Sequence, residues 1–350
     1  MLNHFRRGAN SKKPKFKYQV KSRCPQSLTE ELVAQPARTK LAICTAFKNE
    51  APFLDEWIRF HRSQGVDHFF LYNNFSTDNF ATVLAPHMDY VTVIDWPVSF
   101  KEGGQLRAML HAIESTGESY RWLAIIDIDE FLFGANQPLA EELRSEPFAE
   151  VDQVLVNCIN YGSSSIRSLP SRSLLKHLVH RAPLWWPRNS QRKCIVNPRA
   201  VDQITTIHEM NLSKQSLHAN GAGSIVKPSH LRRHRRGFGR IRTIRRNLSK
   251  LVFQVPALVR LIPSTMMLLM TPYEGGNQTF FDGVSRIRIN HYVVRSRESY
   301  EEKTHKYSGT QFESKYDESY FKYHDQNQVH DPVLADWDGK GLYVNGEGNR

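Results

Sequence analysis

The sequence predicts an α/β protein with a mostly parallel sheet flanked by helices, and three observations predict it. Apolar strand-like runs alternate with helical patterns between Leu41 and Asp127, with short connections that suit strand–helix–strand units. The first run, Leu-Ala-Ile-Cys-Thr-Ala-Phe at 41–47, is apolar throughout, as a strand buried on both faces must be. The last run ends in acids, Asp127, Asp129 and Glu130, at the strand end where open parallel sheets bind ligands.

Each element follows in order. Phe53, Leu54, Trp57, Ile58 and His61 recur at three- and four-residue steps, predicting a helix that Gly65 stops. A strand at His68 to Tyr72 runs into the polar loop Asn73-Asn74-Phe75-Ser76-Thr77-Asp78. A helix around Phe80 to Pro86 leads to a strand at Val91 to Trp96, and a longer helix, Gln105 to Ser115, leads to a strand at Trp122 to Asp127. Beyond Gly134 the pattern loosens. Val154 to Ile159, Lys193 to Val196 and Ser285 to Val294 read as strands, followed by helix to about Tyr323 and little regular structure after it.

The chain has 350 residues, 40% of them hydrophobic, enough to bury a large core. Its formal charge of +12 is unevenly placed. Met1 to Arg23 holds eight Lys and Arg with no acid, and Arg232 to Lys250 holds nine with no acid, so the remainder stands at −5. A mildly acidic body with two basic blocks argues against a uniformly basic nucleic-acid coat. Cys24, Cys44, Cys158 and Cys194 form no CxxC pair, so neither a zinc site nor a dense disulfide framework is expected, and a reducing compartment is the default. The N-terminus lacks the apolar stretch of a secretory signal, and Leu251 to Met270 is interrupted by Gln254, Pro256, Arg260 and Pro263, so it is no simple membrane span.

Alternation along an extended strand would set Asp127 and Asp129 on one side. Two close carboxylates repel unless a cation lies between them or one is protonated, and a hard divalent ion with open positions fits such oxygen ligands. The bland alternative is a strand followed by an acidic helix cap. Several other chemistries lack their motifs: there is no GxSxG elbow, no GxxxxGK[ST] loop, and no GxGxxG after a strand.

With these residues in hand, the chain resembles the nucleotide-sugar glycosyltransferases of the GT-A fold, in their family 2-like and family 92-like branch. The matching blocks are Ala46 to Glu50, Leu54 to Trp57 with His61, Gly65 to His68, Tyr72 to Asp78, Gln105, Trp122 and Asp127 to Phe131. Lys193 to Pro198 with His208, Asn290 to Tyr292, and Arg295 to Glu298 with Lys303 complete the set, spanning about 45–305. The implied fold is a GT-A, Rossmann-like, mostly parallel sheet flanked by helices, with a C-terminal helical extension. The expected organisation is a flexible basic arm (1–38), a catalytic domain (39–213), a basic and apolar insertion (214–275), the C-terminal part of the catalytic domain (276–325) and a tail (326–350), with the arm, 214–275 and the last forty residues outside the resemblance.

The resemblance implies metal-dependent transfer of a sugar, with inversion, from a nucleotide-sugar donor of UDP type to a hydroxyl of a glycan or lipid-linked acceptor. Asp127 and Asp129 then hold Mn2+ or Mg2+ on the donor diphosphate, offsetting charge on the leaving group, and Asp129 counts among the catalytic residues. Phe47, Lys48, Asn49 and Glu50 after the first strand, with Asn74 and Asp78 after the second, are implied donor contacts, as is Gln105. Lys48 as a surface cation, Asp78 as a turn former and Gln105 as a plain helix start are their structural alternatives. An inverting transfer needs a base for the acceptor hydroxyl. Glu209 is the first candidate, with His208 completing the metal shell, or the pair capping a loop. His291 is a rival metal or diphosphate contact, and Glu274 and Asp282 are further candidates.

Read as a helix, 238–255 carries one apolar stripe, Phe238, Ile241, Ile244, Leu248, Leu251 and Val255, ringed by arginines. That is the form of an interfacial anchor, so an anionic membrane surface met through 232–270, at the inner face of a membrane of a cytoplasmic protein, is expected. The alternatives are a helix docked on the domain with solvated arginines, or arginines that bind the acceptor or the diphosphate. Two rival functions stand beside the transferase: a non-catalytic sugar-nucleotide binder of the same fold, and a basic nucleic-acid-binding protein. The acidic body and the lack of zinc-finger, RRM or KH signatures speak against the second, and no nucleic acid is expected.

Overall fold

The computed structural model describes residues 18–19, 40–226 apart from 118, 185 and 205, then 285–306 and 316–339. The basic, apolar stretch expected at 232–270, together with Glu274 and Asp282, lies outside the described residues.

The elements in order are β1 (Tyr18–Gln19), β2 (Leu41–Phe47), α1 (Ala51–Ser63), β3 (His68–Asn73), α2 (Phe80–Leu84), β4 (Val91–Asp95), α3 (Gly104–Thr116), β5 (Trp122–Ile125) and β6 (Glu130–Gly134). Then come α4 (Leu139–Glu142), β7 (Gln153–Asn160), α5 (Leu174–His177), β8 (His180–Arg181), β9 (Arg192–Val196), β10 (Val201–Ile204), β11 (Met210–Leu212), β12 (His218–Asn220) and β13 (Ile225–Val226). After the second gap follow β14 (Ile287–His291), α6 (Arg297–Lys306), α7 (Glu318–His324) and β15 (Val329–His330).

The central sheet runs β13-β12-β7-β9-β5-β2-β3-β4, with β14 pairing β7 and β6. The expected α/β architecture is therefore present. Strands β4, β3, β2 and β5 are mutually parallel, whereas β9 enters antiparallel between β5 and β7. In β2 every residue but Ala46 is buried, because helices cover both faces of a central parallel strand. Helix α1 buries Phe53, Leu54, Trp57, Ile58 and Phe60 against the core, each apolar side chain contributing about 1.5–3 kcal/mol. Gly65 ends that helix at φ +83°, and a Cβ there would meet the Ala140 side chain at 2.5 Å.

Strand direction decides where chemistry can gather. The carboxyl ends of β2, β3 and β4 align through Phe47, Asn73 and Asp95. On the antiparallel strands the amino ends reach the same edge: Cys194 of β9 pairs Ile125, which leaves Lys193 beyond it, and Glu130 of β6 pairs His291 of β14. His291 in turn pairs Asn160 at the carboxyl end of β7.

Three expectations are corrected. Residues 1–38 are not all unpaired arm, since Tyr18–Gln19 adds antiparallel to β10 at Ile204 and Gln203. The sheet continues past 213, because β12 pairs β7 and β13 pairs β12. The segment after Tyr323 is integrated too: β15 pairs β8, Asp331 bridges Arg181 and Arg288, and Trp337 packs edge-on against Phe60. Cys44, Cys158 and Cys194 are buried free thiols.

Candidate active site

The acidic motif does not lie on a strand. β5 stops at Ile125 and β6 restarts at Glu130, so Asp127 and Asp129 sit in a tight turn. Glu130 makes that turn. Its amide donates to the Asp127 carbonyl at 3.0 Å, while its Oε2 accepts from the Asp127 amide at 2.9 Å. Ile126 and Ile128 are buried, and the Tyr292 amide donates to the Asp129 carbonyl at 2.8 Å, pinning the turn to the segment after β14. Strand alternation was therefore the wrong reason for grouping these acids; a self-capped turn groups them.

Two lysines pair with the three carboxylates. Lys193 Nζ lies 2.7 Å from Asp127 Oδ2 and 3.1 Å from Glu130 Oε2. Burial works against the Lys193 charge, but the Asp127 and Glu130 carboxylates more than offset it and hold the ammonium protonated. Burial raises Glu130, only partly countered by Lys193. Lys303 Nζ lies 3.1 Å from Asp129 Oδ2, and His291 Nε2 lies 3.6 Å from Asp129 Oδ1. Burial would raise the Asp129 carboxyl, but Lys303 and His291 overcome it and hold it well below the usual carboxylate range. Gln105 Nε2 donates to Asp127 Oδ1 at 3.4 Å, so the first turn of α3 reaches the motif.

A divalent ion fits this donor set. Two ligand atoms about 2.1 Å from one octahedral ion lie about 3.0 Å apart when cis and about 4.2 Å apart when trans. The 3.6 Å between Asp129 Oδ1 and His291 Nε2 lies between these spacings, so a small turn of either side chain brings the pair to the cis value. The His291 Nδ1 is buried and has no hydrogen-bond partner among the described residues. Glu130, Cys158 and His291 also bring donor atoms within 4.8 Å of one another. Burial and then Glu130 push the Cys158 thiol far up, however, so it stays protonated and is a poor ligand. Carboxylates with imidazole remain as the donors; the carboxylates suit Mn2+ or Mg2+, and the imidazole favours Mn2+ of the two. His208 Nδ1 donates to the Arg192 carbonyl at 2.9 Å, leaving Nε2 with its lone pair. Burial, then Lys193, lowers its pKa and keeps the ring neutral, and the Asp127 charge acts on it too.

The remaining residues expected to bind the donor divide by what their atoms already hold. Phe47 turns its ring into the core against Phe80, so only its backbone faces the sheet edge. Asn74 donates through Nδ2 to the Trp96 and Val98 carbonyls and is a loop brace. Asn49, at φ +50°, donates its amide to Ser76 Oγ and accepts from the Thr77 amide, locking the two loops together. Glu50 at the start of α1 pairs with Arg295 at 2.8 Å. Lys48 sits half-buried in the turn after β2. Asp78 accepts from the Ala51 amide with Oδ2 at 2.8 Å, while its Oδ1 is buried with no hydrogen-bond partner among the described residues. Glu209 lies 3.8 Å from Arg192 Nη2.

Roles for Lys193, Lys303 and Arg295 were not read from the sequence. Arg295, at φ +56°, also stacks its guanidinium 3.9 Å over the Phe53 ring. Lys193 did leave a signal: an ammonium inside a buried strand requires a carboxylate partner.

Comparison with known proteins places this edge in context. A glycosyltransferase family 92 protein of Oryza sativa subsp. japonica is 32% identical over 198 residues, 53% of this chain and 32% of its own length. One of Ricinus communis is 28% identical over 200 residues, 55% of this chain and 35% of its own. The chain thus spans about a third of the length of the curated relatives it matches. Among solved structures, a mannosyltransferase from Pyrobaculum calidifontis in complex with GDP-Man and Mn2+ overlaps 35% of this chain and 35% of its own, at 19% identity and TM-score 0.27. Glucosyl-3-phosphoglycerate synthase from Mycobacterium tuberculosis, in complex with Mn2+, UDP-Glc and phosphoglyceric acid, overlaps 34% of this chain and 44% of its own, at 14% identity and TM-score 0.26. The model of glycosyltransferase family 92 matches residues 39–251, most of the chain. The chain belongs to glycosyltransferase family 92.

Proposed function

We propose that this protein transfers a sugar, with inversion, from a UDP-sugar to a hydroxyl of a glycan or lipid-linked acceptor, using Mn2+ or Mg2+. The observation that carries this reading is the 3.6 Å approach of Asp129 and His291, with Asp127 in the same turn, at the edge of the sheet that also presents the loops holding Asp78. When bound, the ion would neutralise charge building on the departing diphosphate. Asp129 and His291 would hold it, with Asp127 and His208 beside them.

The chain's own residues do the rest. Asp78 Oδ1, buried and without a partner among the described residues, accepts from an N–H of the base or a ribose hydroxyl. Lys48 contributes positive charge on the same edge. Glu209 is the base we assign: it takes the acceptor hydroxyl's proton as that oxygen attacks the anomeric carbon, and Arg192 orients it. Among the described residues no helix is long and apolar enough to cross a membrane. We further propose that 232–270 rests on an anionic membrane surface at the cytoplasmic face. Arg→Gln changes across 232–250 should then reduce pelleting with phosphatidylserine vesicles; unchanged pelleting would sink that part.

The central test is a nucleotide-sugar panel scored by thermal shift and by donor hydrolysis, with and without Mn2+, for the wild type and Asp129→Ala. A donor-specific, Mn2+-dependent shift in the wild type alone is expected, with hydrolysis about 10³-fold lower in the variant. Binding without turnover would favour the non-catalytic sugar-nucleotide binder, and no metal-dependent donor binding would remove the transferase reading.

A further inference from the structure

We propose that Lys303 is a resident counter-ion that keeps divalent-ion affinity low in the donor-free protein and so makes ion and donor bind together. The inference rests on the metal-dependent reading above and concerns how that site is regulated. Its basis is the placement of one ammonium. Lys303, on α6, lies 3.1 Å from Asp129 Oδ2, donates to the Val293 carbonyl at 3.2 Å, and sits 5.3 Å from the centre of the Tyr316 ring. Three groups fix it, and its side chain is only 11% exposed, so it has little freedom to withdraw into solvent. The other Asp129 oxygen faces His291. An ion held there shares its carboxylate with a fixed positive charge.

Two effects of removing Lys303 oppose each other. Losing the salt bridge frees the Asp129 carboxylate to turn, which weakens ion binding. Losing the charge removes a like-charge repulsion in a poorly solvated site, which strengthens it. The turn decides between them. Asp129 is 8% exposed, and its carbonyl accepts from the Tyr292 amide. Its flanking residues Ile128 and Glu130 are buried. The backbone thus places the carboxylate without Lys303, and the charge effect dominates.

The sign reverses when a diphosphate arrives. Its negative charges turn Lys303 from a repulsive neighbour of the ion into an attractive neighbour of the pair. Arg295, whose charge also reaches Lys303 and Asp129, adds to the same field. Coupling of this kind is reciprocal: the ion raises nucleotide affinity by the factor by which nucleotide raises ion affinity. Lys193 plays a parallel part at Asp127, but it also neutralises the buried Glu130, so Lys303 is the cleaner residue to change.

The experiment titrates Mn2+ into the full chain with and without saturating UDP, following free Mn2+ by electron paramagnetic resonance. Wild type should bind Mn2+ at least tenfold more tightly with UDP than without. Lys303→Met and Lys303→Gln should bind Mn2+ alone at least fivefold more tightly than wild type and lose most of the UDP-induced gain. Lys303→Arg, which keeps the charge, should behave as wild type. Thermal melts and far-ultraviolet circular dichroism establish that each variant is folded, and the Gln variant serves if the Met variant is not. Unchanged or weaker Mn2+ binding in the folded neutral variants overturns the proposal, as does tightening in Lys303→Arg. A wild type that binds no Mn2+ even with UDP removes the metal reading itself, a result distinct from wild-type binding with a silent Lys303.

Discussion

The two halves of the sheet edge are built differently. On one side, β2, β3 and β4 run parallel, and the loops after them lock together through neutral hydrogen bonds: Asn49 to Ser76 and Thr77 between the loops after β2 and β3, and Asn74 to Trp96 and Val98 between those after β3 and β4. On the other side, β5, β6, β9 and β14 interleave both directions and gather charges: Asp127 and Glu130 with Lys193, Asp129 with Lys303. The first side is a rigid frame in which, among the described residues, the Asp78 Oδ1 in the loop after β3 and the Thr45 Oγ1 within β2 have no hydrogen-bond partner. The second is a nearly balanced electrostatic assembly. A frame suits recognition of a fixed shape such as a nucleoside. An assembly of paired charges suits a step in which charge appears and must be absorbed.

The largest effect that distinguishes the two sides is on turnover. Glu209→Gln removes the proposed base and keeps the shape, so kcat should fall by about 10²–10⁴-fold with donor affinity unchanged. Single-turnover transfer measured beside UDP binding checks this. A loss of UDP affinity equal to the loss of rate would move Glu209 out of the acceptor side, into a general structural role with Arg192.

A smaller effect is expected on the frame side. Asp78→Asn keeps the volume and can still accept from the Ala51 amide, but it offers the donor a different hydrogen-bonding face. Uridine and UDP affinity should fall by about 10-fold to 100-fold, with affinity for inorganic pyrophosphate unchanged. Isothermal titration with the three ligands separates the cases. An equal loss for pyrophosphate would mean that Asp78 braces the edge as a whole.

Much of the frame was legible because its signals are local. The burial pattern of β2, the α1 stripe and the Gly65 stop are set by residues a few positions apart, and the structure places them within a residue or two of expectation. The acids were visible too, but their arrangement was not. Glu130 bonds back to its own turn, so β5 ends before Asp127, and periodicity carries no trace of such a cap. The counter-ions are harder still. Lys303 is 174 residues from Asp129, and Arg295 is 245 from Glu50. Only the return of β14 beside β7 brings these cations to the edge. Nothing near Lys303 in sequence marks it as buried, since it follows two glutamates on a polar helix.

His61 joins the two halves. It lies on α1, the first helix of the frame, and is fully buried. Its Nδ1 donates to the Trp57 carbonyl at 2.8 Å, and its Nε2 accepts from the Leu132 amide of β6 at 3.1 Å. Only the neutral ring can serve both partners, and burial lowers its pKa from 6.5 to about 3. Below pH 6.5 the unfolded chain takes up a proton that the folded ring refuses. This residue's contribution to stability therefore falls with pH by about 1.4 kcal/mol per unit, until the ring itself protonates near pH 3. His61→Gln cannot satisfy both partners in the same geometry and should cost about 1–3 kcal/mol at pH 7. It also removes this titration, so the wild type's advantage should shrink steadily between pH 6.5 and 4.5. Urea melts of both proteins across that window isolate the effect from other titrating histidines. A gap that stays constant would show that His61 is not the neutral link between frame and charge assembly, leaving that role to the Trp57 indole on the Glu130 carbonyl and the Glu50–Arg295 pair.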